Sequence, residues 1–362
     1  MQTSERTVKE QLRSAWEKRP LIISGPCSAE TETQLIETAT HLAATGVVDM
    51  LRAGIWKPRT RPGSFEGVGR IGLPWLQAAR KLTGLPVTIE VATAQQVELA
   101  LEYDVDVIWI GARTTVNPFS VQEVAEALKG VKIPVLIKNP INPDLELWTG
   151  ALERIAKAGV NDLGLVHRGF SSYGNAEYRN APMWHLAVEM KVRYPDILMI
   201  SDPSHICGRR DILLQVAQKA IDLDFDGLMI ESHIDPDNAW SDARQQVTPQ
   251  RVQELFASIT WRREDVNSEA YHMALEKLRQ KINQLDDELI ELLGQRMKIA
   301  DRIGEYKREN NITILQTNRW NEIIQRAVHK GEQIGLSREF ITRYFDAVHM
   351  ESISHQKKIM DR

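Results

Sequence analysis

The chain lacks the features of secreted, membrane-spanning and nucleic-acid-binding proteins. Its two cysteines, Cys27 and Cys207, are too few for a disulfide framework and fit a reducing compartment. No apolar run approaches the ~20 residues of a membrane span, and the opening MQTSERTVKEQLRSAWEKRP lacks the apolar core of a signal peptide. The net charge of −4 indicates no large basic surface for nucleic acid. We therefore expect a cytoplasmic globular protein whose partners include neither nucleic acid nor membrane.

Eight short stretches have the composition of buried parallel strands, and each is followed by a stretch that can form a helix. The repeat of roughly 25–35 residues is typical of the α/β fold called the (β/α)8 or TIM barrel, whose active site lies on the loops after the strands. The stretches are LIISGPC from Leu21, MLRAGI from Met50, PVTIEVA from Pro86, DVIWIGA from Asp106, IPVLIKN from Ile133, NDLGLVH from Asn161, ILMISD from Ile197 and DGLMIES from Asp226.

The β/α alternation stops near Trp261, and only helical patterns follow. We predict a barrel in residues 1–262, a linker in 263–270 and an all-α domain in 271–362. Apolar residues at three- and four-residue steps predict a first helix of about 40 residues, 267–308, with Ser268 as its cap. Two shorter helices are predicted at about 318–330, which Gly331 and Gly335 would end, and at 337–360. The first helix is too long to pack on these two alone, so we expect an intertwined homodimer.

Four potential metal ligands follow three of the predicted strands. Cys27 ends the first strand in GPCS, His205 follows the seventh in SDPSH, and Glu231 ends the eighth, with Asp242 in the next loop. A thiolate, an imidazole and two carboxylates suit one divalent ion such as Mn, Fe, Co or Zn. A closed structural zinc site would have more cysteines at CxxC spacing. We predict one divalent metal ion per barrel and no organic cofactor.

Six cations lie on the same loops. Surface cations normally lie on helices that face water, whereas these are placed at the barrel mouth by the strand ends. Arginine forks and lysine charges bind phosphate and carboxylate groups. The mouth is therefore predicted to bind two small anionic substrates. The six are Arg52, Lys57, Arg59, Arg113, Lys138 and Arg168.

Taken together, these motifs resemble a known enzyme family. They are similar to the motifs of type I 3-deoxy-D-arabino-heptulosonate 7-phosphate (DAHP) synthase, in its short KDO-synthase-like branch. The motifs are GPCS, LRxGxxKPRT, IGART, Lys138-Asn139, HRG, SDPSH, MIESH and Ser241-Asp242. The resemblance covers residues 20–261. It implies the condensation of phosphoenolpyruvate with erythrose 4-phosphate, the first step of the shikimate pathway, with the four ligands above holding the metal.

The resemblance also implies which cations hold phosphoenolpyruvate. Arg113, Lys138 and Arg168 would bind its phosphate. Arg52 and Lys57 would lie near its carboxylate and the reacting carbons.

The second substrate and the proton-transfer groups follow from the same resemblance. Arg59 and Thr60 would bind erythrose 4-phosphate, and Glu90 would handle a proton or orient water. His205 and Lys57 are candidates for proton transfer.

An alternative for the barrel is the octulosonate 8-phosphate type of sugar-acid synthase, with a non-catalytic helical tail. That relative carries Lys-Ala-Asn-Arg where this chain has Lys57-Pro58-Arg59-Thr60. The chain also departs from the DAHP branch, which often follows KPRT with Ser-Pro-Tyr where Arg61 begins RPG here.

The helical tail also carries cations that its apolar pattern does not explain. Arg296 interrupts the apolar stripe between Leu292 and Ile299. Lys307, eleven residues on, returns to within about 20° of Arg296 at about 16 Å along the helix, so the two side chains could bracket a small dianion. Arg279 lies about 25 Å before Arg296 on another face, and would serve the pocket of a partner subunit in an antiparallel pair.

This tail is similar to the AroQ-type, all-helical chorismate mutases. LRQKINQLDDELIELLGQR, GEYK and ESISHQ carry the resemblance over residues 269–360. It implies rearrangement of chorismate to prephenate, with Arg279 of the partner, Arg296 and Lys307 on the carboxylates. Ser352 would complete the pocket, and Gln356, with Lys307, would approach the ether oxygen.

Two features of the tail bear on its role. Family members commonly have an Asp and a Glu at the start of the second helix, where this chain has Gln316 and Trp320. The alternative is a helical dimerisation module without catalysis.

Because the tail is the appended domain, we also expect a mutase ligand, prephenate, to regulate the barrel allosterically.

Overall fold

The computed structural model describes residues 18–57, 63, 65–172, 177–262 and 268–361. These residues belong to two compact units, Met1–Glu264 and Asp265–Arg362. The linker that we predict in residues 263–270 spans this boundary, but the first helix of the second unit already begins at Glu269. Among the helices in the described part of the chain, none has the length and hydropathy of a membrane span.

Eight parallel strands close into a barrel in chain order, which confirms the predicted fold. The barrel closes between the first and the eighth strand, with Leu21 opposite Gly227 and Gly25 opposite Glu231. Continuous apolar runs suit these strands because the interior covers one face and helices cover the other. The strands are β1 (Leu21–Gly25), β2 (Met50–Arg52), β3 (Val87–Val91), β4 (Val107–Ile110), β5 (Val135–Lys138), β6 (Leu163–His167), β7 (Leu198–Ser201) and β8 (Gly227–Glu231).

The two-residue period of the strands places charged side chains at the mouth. Met50 and Met229 belong to the apolar cluster inside the barrel. Successive side chains of a strand alternate between its two faces. Arg52 lies two residues after Met50 and Glu231 two residues after Met229, so both also point into the barrel, at the C-terminal ends of their strands. Lys138 follows the same rule at the end of β5.

Helices surround the barrel, and most begin at a polar cap. Thr31 accepts a hydrogen bond from the Gln34 backbone N–H at the start of the first helix, as such caps do. Two short helices at the mouth carry Arg113 and His205. The barrel helices are α1 (Glu32–Ala44), α2 (Gly72–Thr83), α3 (Ala94–Glu102), α4 (Ala112–Thr115), α5 (Pro118–Ala127), α6 (Leu145–Lys157), α7 (Trp184–Arg193), α8 (Pro203–Cys207), α9 (Leu213–Asp222) and α10 (Pro249–Ser258).

The second unit consists of the three predicted helices, α11 (Glu269–Glu309), α12 (Thr317–Gln333) and α13 (Arg338–Met360). Ser268 and Ser337 cap α11 and α13 with their side chains. Helix α12 continues past Gly331, which we expected to end it.

One apolar face of α11 is exposed in the single chain. Five large apolar side chains at three- and four-residue spacing expose between 50% and 59% of their surface: Leu278, Ile282, Leu285, Leu289 and Leu292. A contiguous apolar stripe of this kind is typical of a surface that another protein chain covers.

Candidate active sites

Three of the four predicted metal ligands lie together at the barrel mouth. The sulfur of Cys27 and carboxylate oxygens of Glu231 and Asp242 all lie within 4.8 Å of one another. The pairing of β1 with β8 brings the Cys27 loop beside Glu231. Asp242 has a left-handed backbone with φ of 47°, which aspartate tolerates better than most residues and which is often retained at functional positions.

His205 is not part of this group of three, but its Nε2 lies 3.6 Å from Glu231 Oε1. Its Nδ1 lies 2.8 Å from Asp202 Oδ2, and its backbone N–H donates to Asp202 Oδ1 at 3.1 Å. Burial alone would raise the pKa of Asp202, but His205 and Lys138 hold that pKa well below its usual range. A neutral imidazole whose Nδ1–H donates to Asp202 carries its electron pair on Nε2, the nitrogen on the side of Glu231.

The chemistry of this donor set fits a divalent ion. Two ligands of one ion lie up to about 4.5 Å apart, so small shifts would bring the three atoms onto a common centre. Glu231 Oε1 is buried and accepts no hydrogen bond from the described residues. Burial, followed by the charge of Glu231, raises the pKa of the Cys27 thiol to about 12. A bound cation would lower that pKa and stabilise the thiolate ligand.

Two of the predicted cations are buried below this group. Arg52 Nη2 lies 3.2 Å from Glu231 Oε1, and Lys138 Nζ lies 2.8 Å from Asp202 Oδ2. The Trp109 ring lies near both, 5.0 Å from the Arg52 guanidinium carbon and 5.5 Å from Lys138 Nζ. Arg52 Nε and Nη1 are buried without a hydrogen-bond acceptor among the described residues. These two donors suit an anion, because buried polar groups are nearly always paired.

Lys57 lies between the metal-ligand candidates. Its Nζ is 2.9 Å from Asp242 Oδ2 and also contacts Cys27 Sγ. Arg59 and Thr60, predicted to bind erythrose 4-phosphate, lie outside the described residues.

Arg168 is held at the mouth by polar contacts with its neighbours. Its Nη1 donates to Asn180 Oδ1 at 2.8 Å, and Asn139 Oδ1 accepts from its backbone N–H at 2.7 Å. Burial is the main cause that lowers the pKa of Arg168 to about 10, and the charges of Arg179 and Arg113 lower it further. Arg168 therefore lies close enough to two other guanidinium groups for their charges to oppose its own, and such a site favours an anion.

Glu90 lies on the inner face of β3. Its Oε2 accepts a hydrogen bond from Trp109 Nε1 at 3.0 Å. A Cβ at Gly111 would come within 2.0 Å of Glu90 Oε1, so this carboxylate requires a glycine beside it. Glu90 therefore shares Trp109 with the two buried cations.

Several residues at the mouth were not predicted. Arg179 Nη1 lies 3.2 Å from Asp242 Oδ1 and 2.6 Å from Gln245 Oε1, and Gln245 Nε2 donates to Glu231 Oε2 at 2.6 Å. Asp202 could have been found, because Asp-Pro before a short polar stretch predicts a capped helix. Arg179 and Gln245 stand in no motif that indicates a contact with a distant carboxylate.

A second set of contacts fixes the loop that carries Asp242. Glu30 Oε1 accepts from the Trp240 backbone N–H at 2.7 Å, and Glu30 Oε2 lies 3.3 Å from His233 Nε2. Ser241 Oγ donates to Ser28 Oγ at 2.9 Å. These bonds join the loop after β8 to the loop after β1, so Asp242 and Cys27 are positioned together.

The helical unit has its own cavity of about 230 Å³. Four of the five predicted residues line it: Arg296, Lys307, Ser352 and Gln356. Arg296 donates to the Ser352 hydroxyl, and Lys307 donates to the Ile314 carbonyl. The fifth, Arg279, does not line it.

The cavity also contains residues that distinguish this chain. Gln316 and Trp320, noted above for their departure from the usual Asp and Glu, line it. Arg319 and His349 line it as well and were not predicted, since neither interrupts an apolar stripe as Arg296 does.

The chain resembles known proteins over both units. Residues 5–268 match the model of the DAHP synthetase I family, and residues 278–357 match that of chorismate mutase type II. A phospho-2-dehydro-3-deoxyheptonate aldolase of Thermotoga maritima is 34% identical over 238 residues, which cover 66% of this chain and 68% of the relative.

Two further comparisons concern the barrel. The crystal structure of the phospho-2-dehydro-3-deoxyheptonate aldolase (DAHP synthase) of Thermotoga maritima superposes with a TM-score of 0.58 at 32% identity, covering 65% of this chain and 67% of that one. A 2-dehydro-3-deoxyphosphooctonate aldolase of Dechloromonas aromatica is 26% identical, covering 66% of this chain and 89% of the relative. The octulosonate-type enzymes are thus the more distant branch. The chain belongs to the DAHP synthetase I family, and its barrel is followed by a chorismate mutase type II domain.

Proposed function

We propose that the barrel condenses phosphoenolpyruvate with erythrose 4-phosphate at a divalent metal ion, and that the helical domain rearranges chorismate to prephenate. Both domains are enzymes of the shikimate pathway that act on small molecules. The observation that carries the barrel proposal is the group of Cys27, Glu231 and Asp242 beside buried cations.

These three residues and His205 would hold the ion. When bound, a divalent ion acts as a Lewis acid on the aldehyde oxygen of erythrose 4-phosphate. Asp202 orients the His205 ring through Nδ1, so that Nε2 can serve as a ligand.

The cations of the mouth would position phosphoenolpyruvate. Arg168, Lys138 and Arg113 are proposed to hold its phosphate, and Arg52 offers two unpaired donors to its carboxylate. Holding the two anionic substrates side by side in a fixed orientation speeds formation of the carbon–carbon bond between C3 of phosphoenolpyruvate and the aldehyde carbon. Water adds at C2 and phosphate leaves, which balances the reaction.

Proton transfer is assigned to groups that touch this space. Lys57 Nζ lies 2.9 Å from Asp242 and is the candidate to protonate the oxygen that develops from the aldehyde. Glu90, which Trp109 holds by a hydrogen bond, is proposed to orient the attacking water.

The helical cavity suits a rearrangement that needs no nucleophile. Arg296 and Lys307 line it together and would bind the two carboxylates of chorismate. Cations that favour the compact, charge-separated transition state are sufficient for catalysis. Gln356 is proposed as a second donor to the ether oxygen, beside Lys307.

We propose a homodimer through the helical domain. The exposed stripe of α11 supplies the apolar surface, and a second copy of the chain would cover it. Arg279 lies along the same helix away from the cavity. In an antiparallel pair it would enter the cavity of the partner subunit.

The test compares two sugar phosphates as substrates of the barrel and measures chorismate consumption separately. Purified protein supplied with phosphoenolpyruvate and divalent metal should release phosphate rapidly with erythrose 4-phosphate and slowly with arabinose 5-phosphate, and should consume chorismate in a separate assay. A preference for the five-carbon sugar phosphate, with no loss of chorismate, would instead support an octulosonate-type barrel with a non-catalytic tail.

A further inference from the structure

The charges in the helical cavity are of one sign. The charged side chains that line it are Arg296, Lys307 and Arg319, and none of its described lining side chains is a carboxylate. Such a cavity suits the carboxylates of chorismate. The ring of chorismate also carries a hydroxyl group, which needs a hydrogen-bond acceptor when it is buried.

His349 offers an acceptor at this wall. It lies on α13 one turn before Ser352 and lines the cavity. Its Nε2 is buried and has no hydrogen-bond partner among the described residues. A buried ring nitrogen without a partner loses its contact with water, so a ligand group that donates to it would be favoured.

The position of the His349 ring is fixed by Trp320. The two rings stack with centroids 4.0 Å apart and an angle of 15° between their planes. Trp320 comes from α12 and His349 from α13, so the stack joins two helices at the wall of the cavity. The stack holds the edge of the imidazole in place.

The charged groups around His349 favour its neutral form. Burial is the main cause that lowers its pKa; Arg296 and Lys307 of α11 lower it further, and Asp346 of its own helix acts in the opposite direction. Arg319 of α12 adds a third positive charge to the cavity. A neutral imidazole carries one nitrogen that accepts a hydrogen bond.

We propose that His349 Nε2 accepts a hydrogen bond from the ring hydroxyl of chorismate, and that Trp320 positions the imidazole for this contact. The inference rests on the proposed mutase activity and adds the residue that recognises the ring hydroxyl through a hydrogen bond. His349 is then a specificity residue, and Trp320 is a positioning residue.

The experiment compares two substrates, chorismate and an analogue whose ring hydroxyl is replaced by hydrogen. The unmodified full-length protein should prefer chorismate in kcat/KM by about five- to tenfold, the value of one neutral hydrogen bond. His349→Phe keeps a ring to stack on Trp320 but has no acceptor, so the preference should fall to about one. His349→Gln keeps an acceptor and should retain part of the preference.

Two further variants separate recognition from folding. His329→Phe alters an exposed histidine of α12 that does not line the cavity, and should leave the preference unchanged. Trp320→Leu should reduce the preference while a circular dichroism spectrum shows that the helices remain.

The outcomes distinguish the inference from the function on which it rests. If the unmodified protein does not consume chorismate, the proposed mutase function fails. If it does, but His349→Phe slows both substrates equally, His349 has only a packing role and the inference is overturned.

Discussion

At the scale of the residue, His167 shows how strongly the barrel core controls a single side chain. It is fully buried at the end of β6, among the rings of Trp148, Phe170, Trp184 and Phe225 at centroid distances of 5.2 to 6.4 Å. Burial is the main cause that lowers its pKa from 6.5 to about 3. The folded barrel therefore holds this imidazole neutral under conditions in which the unfolded chain would protonate it.

This shift predicts a pH-dependent stability. Between pH 6.5 and 3 the unfolded chain binds a proton at His167 and the folded chain does not, so stability falls as the pH falls. The loss due to this one group should approach about 1.4 kcal/mol per pH unit. In urea unfolding followed at the barrel, the difference between the unmodified protein and His167→Phe should shrink or reverse as the pH is lowered from 7 to 5. A constant difference over this range would show that His167 binds its proton equally well in the folded and the unfolded chain.

The individual residues of the site were predictable to different degrees. Cys27, Glu231 and Asp242 could be found because each follows a predicted strand, and the ends of parallel strands meet at one mouth. Arg179 could not, because its contact with Asp242 depends on the path of a loop between two elements. Sequence periodicity describes strands and helices and carries no information on such a path.

At the scale of the element, the loop after β8 matters most, because it carries Asp242. The Glu30 carboxylate contacts this loop at two points, the Trp240 backbone N–H and the His233 ring. The carboxylate is buried, so both contacts are shielded from water. The Glu30 side chain thus contributes, together with the Ser241–Ser28 bond, to the position of Asp242 relative to Cys27.

Replacement of Glu30 should therefore weaken metal binding. Glu30→Ala removes both contacts, and we expect the dissociation constant for Mn²⁺ or Zn²⁺, measured by competition with a chelating dye, to rise about 10- to 100-fold. Glu123→Ala, at an exposed position of α5, is the matched control and should leave it unchanged. Equal affinity in the two variants would show that the loop holds Asp242 without Glu30.

Helix boundaries illustrate what periodicity can and cannot predict. The capping serines at 268 and 337 mark the observed starts of α11 and α13, because a hydroxyl before an apolar repeat is a local signal. Gly331 was misread as a stop signal. A Cβ there would come within 2.5 Å of Ile341, so this glycine serves close packing of α12 against α13, a contact that no local pattern shows. Gly335, with φ of 84°, is the residue whose backbone leaves the helical path.

At the scale of the whole molecule, we expect each mutase site to be built from two subunits. Chains with Arg279→Ala and with Arg296→Ala should each lose most chorismate mutase activity. When mixed, their heterodimers contain one intact site, so random exchange should restore about a quarter of the activity. Mixing Arg296→Ala with Lys307→Ala is the matched control, because both residues belong to one subunit's cavity and no site is restored. Absence of recovery despite verified subunit exchange would contradict the shared site.

Regulation of the barrel by a ligand of the helical domain would also involve the whole molecule. If prephenate binds the helical domain and favours a less active state of the chain, it must bind that state more tightly. Prephenate should then inhibit DAHP formation by the full-length protein but not by Arg296→Ala. A shortened chain that ends at Arg262 should be insensitive. Equal inhibition of the shortened chain would place the effector site in the barrel.

We expect one chain to carry two activities, of which only the barrel reaction depends on a metal. The most direct measurement is a paired assay of DAHP formation and chorismate consumption on the same sample, with and without a strong chelator. Chelation should lower DAHP formation by at least about 100-fold, with recovery on adding back divalent metal, and leave chorismate consumption within about twofold. Cys27→Ala should behave like the chelated sample. DAHP formation that survives chelation, or chorismate consumption that is lost with it, would contradict the account.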